Sequence, residues 1–365
     1  MAIFFIIVCI VGVIFLPYWI IPANPFPKPS GEWSVGTSDL IWDSSNHTGI
    51  IAKIWYPINA TTGVQSPYID NIDRTLAVIT TGFNPLSNLI FNQFYLDRIW
   101  TPALIDAIPA QSQDGFPAIL FSPGSCSMNF MYTFYALEFA SHGFVVIGIN
   151  HPGSSACTLL TDGSKVEFNK IDKEILEDIK LLEEYSAPIM AQQAIDISIV
   201  LDKVLQLNSN TNSVLHQIVN INKIFTAGHS FGGAASFIAC RKDERISKSI
   251  NLDGVFLDEI DVDYSKTELL LAHADRDRYR PKNKKMQSNY DSMVSRDKIR
   301  LEQLSFKANL THLKFNLANH FNFSDLSIII KPILTKTIGL VGKTDGLKLL
   351  SQTSSMMIDF FNKQT

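Results

Sequence analysis

Short apolar runs alternate with longer amphipathic runs along the chain from residue 116 onward. The short runs are typical of buried strands and the long ones of helices, so their order predicts parallel βαβ units with helices on both faces of a sheet. Strands are predicted at residues 118–121, 144–149, 223–227, 248–252 and 269–272, and helices at residues 131–140, 187–207 and 231–239. We therefore expect an α/β fold whose functional residues follow the carboxyl ends of the strands.

The first part of the chain has a different pattern. Residues 35–42 and 50–56 are two apolar segments joined by a polar turn, which predicts an antiparallel hairpin. Residues 76–109 are apolar but irregular, and they either wall a pocket or take part in ordinary packing.

Residues 2–21 carry no charged side chain and are mostly Ile, Val, Phe and Leu. At 1.5 Å per residue, a helix of this length matches the ~30 Å hydrocarbon core of a bilayer. We interpret the segment as an uncleaved membrane anchor, with a cleaved signal peptide and a buried core helix as the alternatives. Pro17 would kink or end such a helix. An anchor places the protein in the secretory pathway or at the cell surface, and a cleaved signal makes it secreted.

Four prolines at residues 22, 25, 27 and 29 predict a stiff, extended linker after this segment. We therefore divide the chain into a hydrophobic segment (residues 1–22), a Pro-rich linker (23–34) and a single α/β domain (35–365).

The composition is that of a folded globular protein, with 46% hydrophobic and 18% charged residues in a chain of 365. It excludes disordered and collagen-like chains. The formal net charge of −4 and the lack of a basic block give no support to nucleic-acid binding. The four cysteines suit neither a disulfide framework nor a metal site, and we expect no cofactor.

A G-x-S-x-G motif, Gly228-His229-Ser230-Phe231-Gly232, lies between a predicted strand and a predicted helix. A sharp strand-to-helix turn holds the serine in a strained backbone conformation and exposes its hydroxyl, while the glycines let strand and helix approach. Ser230 is therefore the predicted nucleophile, with an incidental serine in a tight turn as the alternative reading.

A serine hydroxyl needs a base to take its proton, and the base needs a third group to orient it. Three histidines follow the serine in the chain, the order expected for this arrangement. His320 lies in a loop after an apolar run and is the favoured base. His312, in a surface-like stretch, is its main rival, and His273 lies within a strand pattern.

Three acids are candidates for the third group. Asp253 ends the predicted strand that follows the nucleophile, and Asp275 and Asp277 follow the next strand. Acyl transfer also needs two backbone N–H groups that bind the oxyanion. We expect one from Phe231, and the other from Ser125 in the loop of residues 121–126.

Together these features resemble the platelet-activating factor acetylhydrolase family, calcium-independent serine lipases of the α/β-hydrolase fold. The resemblance is carried by residues 27–36, 54–57, 116–124, 140–146, 228–233, 252–256 and 319–325. The similarity of residues 252–256 to the family's acid segment favours Asp253. The chain departs from the animal members at Pro123, where they have histidine, and residues 60–110 match nothing specific.

The resemblance implies a serine ester hydrolase that removes a short or oxidised sn-2 acyl group from a glycerophospholipid. It implies Ser230 as nucleophile, His320 as base and Asp253 as acid, with the amides of Phe231 and Ser125 at the oxyanion. The expected partners are a phospholipid or other ester substrate and a membrane that holds the N-terminal segment. A broad-specificity esterase or polyester hydrolase and a catalytically inactive binding protein are the alternatives.

Overall fold

A central β-sheet flanked by helices forms the part of the chain that the computed structural model describes, residues 25–41, 51–69, 98–160, 164–255, 264–278, 280 and 284–363. The strands are β1 (Ser34–Ile41), β2 (Ile51–Ile58), β3 (Gln65–Pro67), β4 (Trp100–Ile105), β5 (Phe116–Ser122), β6 (Val145–Asn150), β7 (Cys157–Leu159), β8 (Lys165–Glu167), β9 (Val219–His229), β10 (Ile246–Leu252), β11 (Glu268–His273) and β12 (Asn309–Lys314). The α-helices are α1 (Thr133–Ser141), α2 (Lys173–Leu176), α3 (Ile179–Asn208), α4 (Phe231–Lys242), α5 (Lys284–Ser305), α6 (Leu326–Ile329), α7 (Pro332–Thr337) and α8 (Gly346–Asn362).

Over the described residues, the strand order of the sheet is β12-β11-β10-β9-β5-β6-β2-β1-β4-β3. All neighbouring pairs from β12 to β6 are parallel, whereas β2 pairs antiparallel with both β6 and β1. The predicted parallel βαβ core is confirmed by β5-α1-β6 and β9-α4-β10. The predicted hairpin is β1 and β2, although residues 42 and 50 lie outside the described ranges.

Helices cover both faces of the sheet, as predicted. Successive residues of β5 point to opposite faces, so Ile119 packs into one core cluster and Leu120 into the other. Helices α1 and α8 contribute aromatic side chains such as Phe139 and Phe361 to the first cluster. Helices α3, α4 and α5 fill the second cluster. The strands between them read as continuous apolar runs because both of their faces are buried.

Two of the elements that differ from the sequence prediction have a clear physical reason. The stretch around His312 is the edge strand β12, which pairs parallel with β11. Most of its side chains are exposed, so it lacks the apolar run that marks the inner strands. Helix α3 begins at Ile179, well before the predicted residue 187, and keeps Pro188 in its interior. Proline is typical of a helix start, which explains the late predicted boundary.

The predicted Pro-rich linker is packed against the domain over its described part. The hydroxyl of Ser30 donates to Glu138 Oε2 (2.6 Å), and the N–H of Trp33 donates to the carbonyl of Ser141 (3.0 Å). Both partners belong to α1, so these residues extend the domain rather than separate it from another segment. The hydrophobic segment, residues 2–21, and most of residues 76–109 lie outside the described ranges. In the described ranges, no helix combines the length and apolar character needed to cross a membrane.

Candidate active site

Ser230 forms the junction between β9, which ends at His229, and α4, which begins at Phe231. Its backbone has φ 56° and ψ −123°, a conformation that residues with a side chain rarely adopt. Its N–H donates to the carbonyl of Leu252 at the end of β10 (2.9 Å), and the residue is half-buried. The turn therefore has the strained geometry that the sequence motif predicts for a nucleophile.

Two glycines of this turn occupy positions where no side chain fits. A Cβ on Gly228 would overlap the backbone of Gly232, and a Cβ on Gly232 would overlap the carbonyl of Ser122 at the end of β5. The close approach of β5, β9 and α4 therefore depends on both glycines, and it places the Ser122 backbone directly against the turn.

His320 and Asp253 are hydrogen-bonded to each other. His320 opens a 3-10 turn (His320–Phe323), and its Nδ1 lies 2.7 Å from Asp253 Oδ2. Asp253 follows β10 and is 6% exposed, whereas the side chain of His320 is 35% exposed. The acid is thus enclosed, and the imidazole borders an open space.

The two rival acids have other partners. Asp275 Oδ2 accepts the N–H of Leu317 (3.1 Å), and Asp277 forms an ion pair with Lys314 (2.8 Å). Of the three acids that the sequence left open, the structure brings Asp253 to His320.

The charge of Asp253 is stabilised by its surroundings. Burial alone would raise its pKa, but the hydrogen bond with His320 and the positive charge of Arg276 outweigh burial and hold the pKa of Asp253 well below its usual range. Arg276 Nε donates to Asp253 Oδ1 (3.2 Å), and its Nη1 donates to Asp297 Oδ2 (2.6 Å). The ionised carboxylate accepts the Nδ1 proton of His320, so the other ring nitrogen can act as a base.

Arg276 was not among the residues that the sequence analysis selected. Its position in the sequence could have identified it as a site residue, because it follows β11 at the carboxyl edge of the sheet, directly after the candidate Asp275.

The two rival histidines lie together, away from Ser230. His312 Nε2 is 3.1 Å from His273 Nδ1, and both line a separate cavity of about 580 Å³. Burial and the nearby Arg276 lower the pKa of His273 to about 3. Neither residue lines the cavity that contains Ser230.

His229, which precedes the serine in the G-x-S-x-G motif, links two loops of the site. Its Nε2 donates to the carbonyl of His320 (3.0 Å), and its Nδ1 accepts from the hydroxyl of Tyr132 (2.9 Å). The Tyr132 oxygen in turn accepts the N–H of Gly124 (3.2 Å). Burial and the neighbouring His320 lower the pKa of His229 to about 3, so its ring is neutral and can both donate and accept. The sequence alone assigned no role to His229.

One cavity of about 240 Å³ is shared by Ser230, His320 and Asp253. Apolar side chains from the first turns of α3 and from α5 form part of its wall; these are Ile179, Leu182 and Met293. Within the described ranges, no group of three His, Cys, Asp or Glu side chains could hold a metal ion. Ser230, His320 and Asp253 supply this cavity with a hydroxyl, an imidazole and a carboxylate.

Of the two predicted oxyanion donors, Phe231 directly follows Ser230, whereas Ser125 is not among the residues that line the cavity. Phe231 begins α4 and lines the cavity, so its N–H belongs to the unpaired first turn of the helix. Gly124 lies against Ser230, because a Cβ built on it would meet Ser230 Cβ at 3.2 Å. Ser125 follows Gly124 in the same loop and is half-buried. We call residues 122–127 the oxyanion loop.

Comparison with known proteins shows which family this chain resembles. The family model described as "Platelet-activating factor acetylhydrolase, isoform II" matches residues 20–365. A platelet-activating factor acetylhydrolase of Canis lupus familiaris is 27% identical over 356 residues, which cover 92% of this chain and 74% of that protein. A probable 1-alkyl-2-acetylglycerophosphocholine esterase of Arthroderma benhamiae is 30% identical over 140 residues, 38% of this chain and 32% of that protein.

Among solved structures, a ferulic acid esterase from Streptomyces cinnamoneus has a TM-score of 0.65 and 21% identity, covering 93% of this chain and 92% of its own. This similarity shows the shared fold. The family match over nearly the whole chain confirms the resemblance seen in the sequence. The chain belongs to the platelet-activating factor acetylhydrolase isoform II family of ester hydrolases.

Proposed function

We propose that this chain hydrolyses the sn-2 ester of glycerophospholipids whose sn-2 acyl group is short or oxidised, as in 1-alkyl-2-acetylglycerophosphocholine. The observation that carries the proposal is the sharing of one cavity by Ser230, in a strained turn, and His320, whose Nδ1 is bonded to Asp253 at 2.7 Å. The names of the relatives from Canis lupus familiaris and Arthroderma benhamiae support the substrate class.

The reaction follows from the roles of these side chains. The Ser230 oxygen attacks the ester carbonyl carbon while His320 takes its proton and then delivers it to the departing lysophospholipid oxygen. Water attacks the resulting acyl-enzyme, and His320 again takes and returns a proton, which releases the carboxylic acid and free Ser230. Asp253 keeps His320 in the required tautomer and stabilises its charged form.

The N–H groups of Phe231 and Ser125 stabilise the oxyanion in both steps. A donor of this kind lowers the barrier by about 3 kcal/mol where it is already oriented before reaction. Because the donors are backbone groups, the side chain of Ser125 is not required for this role.

The dimensions of the cavity favour a small acyl group. Its volume of about 240 Å³ lies below the ~300–1,000 Å³ that is typical of sites for larger ligands. Ile179, Leu182 and Met293 provide an apolar surface for such a group. A long, unmodified acyl chain would need a larger space.

The experiment compares hydrolysis of 1-alkyl-2-acetylglycerophosphocholine with that of the sn-2 palmitoyl analogue. The wild-type protein should prefer the acetyl substrate, and Ser230→Ala should lower kcat by about five to six orders of magnitude without loss of folding. A fluorophosphonate probe should label the wild type and fail to label Ser230→Ala. Ser249→Ala is the matched control, because Ser249 is buried in the neighbouring strand β10 and its hydroxyl contacts Thr226 instead (2.9 Å).

Equal rates on both lipids would contradict the proposed substrate preference and indicate a broad-specificity esterase instead. Absence of labelling in the folded wild type would identify an inactive hydrolase fold.

We further propose that residues 2–21 anchor the enzyme to a membrane of the secretory pathway or the cell surface. The support is the uncharged, apolar sequence of this segment, nearly all of which precedes the region that the family model matches. A membrane location would bring the cavity close to its lipid substrate.

A further inference from the structure

Ser122, at the beginning of the oxyanion loop, belongs to a hydrogen-bonded set of serine, histidine and aspartate. Ser122 Oγ is 2.7 Å from His151 Nε2, and His151 Nδ1 is 2.9 Å from Asp196 Oδ2. The order of groups is that of a catalytic triad, yet His151 and Asp196 lie outside the site described above, and Ser122 belongs to it only as the first residue of the oxyanion loop. We call Ser122, His151 and Asp196 the buried polar chain.

Burial excludes the buried polar chain from direct chemistry. Ser122 is 0% exposed, His151 1% and Asp196 6%. A hydroxyl at the end of a central strand with no exposed surface cannot meet an ester carbonyl. Polar groups at this depth are costly unless fully hydrogen-bonded, so a complete network here constrains the position of every member.

The loop that carries His151 is hydrogen-bonded to both ends of the oxyanion loop. The N–H of Cys126 donates to the carbonyl of Ser154 (2.8 Å), and the N–H of Ala156 donates to the carbonyl of Ser127 (3.0 Å). Together with the contact between His151 and Ser122, these bonds join residues 151–156 to the first residue and the last two residues of the oxyanion loop. We call residues 151–156 the bracing loop.

Helix α3 forms hydrogen bonds with the bracing loop through two residues that lie one helical turn apart. Asp196 accepts from His151, and Gln193 Nε2 donates to Ser154 Oγ (2.6 Å). Both residues are buried and lie three positions apart, so they project from the same helix face. Through the bracing loop, the position of the oxyanion loop therefore depends on the long helix α3.

The beginning of the oxyanion loop also touches the nucleophile turn. The Ser122 carbonyl packs where any side chain on Gly232 would stand. A shift of Ser122 would therefore move the loop that carries Gly124 and Ser125 relative to the turn that carries Ser230 and Phe231. The two proposed oxyanion donors lie on these two segments.

We propose that Ser122, His151 and Asp196 are positioning residues that set the distance between the two oxyanion donors. The inference rests on the proposed function, since it assigns the oxyanion to the amides of Phe231 and Ser125. Oxyanion donors act by being oriented before the reaction, and displacements of about 1 Å can cost ~100-fold in rate. Loss of the buried polar chain should therefore weaken binding of the transition state and leave binding of the substrate nearly intact.

The test compares Ser122→Ala with Ser249→Ala. Both variants remove a buried, hydrogen-bonded serine hydroxyl from the sheet, one from β5 and the other from β10. Both serines are 0% exposed, but Ser122 contacts the bracing loop, whereas the Ser249 hydroxyl contacts Thr226. For hydrolysis of a soluble aryl acetate, Ser122→Ala should lower kcat by about 10- to 100-fold with KM changed by less than about threefold. Affinity for a trifluoromethyl ketone analogue, whose adduct carries an oxyanion, should fall by the same factor as kcat.

Ser249→Ala should lower thermal stability without changing kcat or affinity for the ketone. Asp196→Asn provides a second variant of the same chain, with nearly unchanged volume, if Ser122→Ala does not fold. Wild-type kcat and ketone affinity in a folded variant of either residue would overturn the inference, as would equal losses in Ser249→Ala. The aryl ester separates this inference from the proposed substrate, because a wild type that cleaves it but not the phospholipid contradicts only the proposed function.

Discussion

Asp253 forms more hydrogen bonds than a serine-histidine-aspartate triad requires. One carboxylate oxygen faces His320, and the other accepts from Arg276 and from the N–H of Ala274 (3.0 Å). Arg276 reaches on to Asp297, so the orientation of the acid is tied to α5. At this scale, a carboxylate that is ionised and fixed in place determines which nitrogen of His320 is free to take a proton.

The sequence limited the candidates for the catalytic acid to a few aspartates, but residue types alone could not choose among them. Asp253 and Asp275 follow neighbouring parallel strands, and both therefore reach the same edge of the sheet. Only the likeness to a family segment favoured Asp253. The choice depends on where the loop after β12 places His320, which is a long-range contact that local patterns do not encode.

We predict a large difference between Asp253→Asn and Asp275→Asn. Asparagine at 253 would stabilise the wrong tautomer of His320, so kcat should fall by about 10⁴-fold, whereas Asp275→Asn should change it by less than about 10-fold. Steady-state hydrolysis of a soluble ester measures both, with circular dichroism as the check on folding. Similar losses in the two variants would assign the acid role to Asp275 or divide it between them.

At the scale of elements, the loop after His320 is joined to the helix that follows the oxyanion loop. Asp325 is buried, and its carboxylate accepts the N–H groups of Thr133 (2.8 Å) and Phe134 (3.1 Å) at the start of α1. Such contacts satisfy the unpaired N–H groups of a helix N-terminus. The predicted strands and helices with strong apolar patterns are correct, while contacts of this kind, 191 or 192 residues apart in sequence, were beyond local reasoning.

Asp325 gives the stability of the protein a specific pH dependence. Burial raises its pKa to about 7, although the two N–H donors oppose the change. The protonated carboxyl therefore contributes fully to the stability of the folded state below about pH 4. This contribution is lost as the pH rises through about 7, because the unfolded chain releases the proton at a lower pH than the folded chain does. We predict that Asp325→Asn removes this dependence. The difference in unfolding free energy between variant and wild type should therefore change by roughly 3 kcal/mol from pH 4 to pH 7.

Urea unfolding at several pH values measures this difference. Asp345→Asn is the control for replacing a helix cap, because the exposed Asp345 caps α8 through the N–H of Lys348 (2.8 Å). Its effect should stay within about 1 kcal/mol. A difference for Asp325→Asn that is constant with pH would show that the carboxyl of Asp325 ionises alike in the folded and unfolded states.

On the scale of the whole molecule, the boundary between the hydrophobic segment and the domain lies earlier than the proline pattern suggested. The prolines indicate an extended backbone but not what that backbone touches. Gly31 N–H donates to Ser141 Oγ (3.1 Å), and Phe26 packs against Tyr68 with ring centroids 5.2 Å apart. The domain therefore includes residues from about 25 onward.

This boundary makes a deletion experiment specific. Removing residues 1–24 should move the protein from the membrane fraction to the soluble fraction of lysed cells. Hydrolysis of a soluble ester should stay unchanged, because all the contacts of residues 25–33 with α1 remain. Removing residues 1–33 instead should lower the melting temperature, since it also deletes Ser30 and Trp33 and leaves Glu138 and the end of α1 without them. Retention of the shorter deletion in alkali-washed membranes would contradict an anchor at residues 2–21, and a full-length gene product that is secreted with a new N-terminus would identify the segment as a cleaved signal.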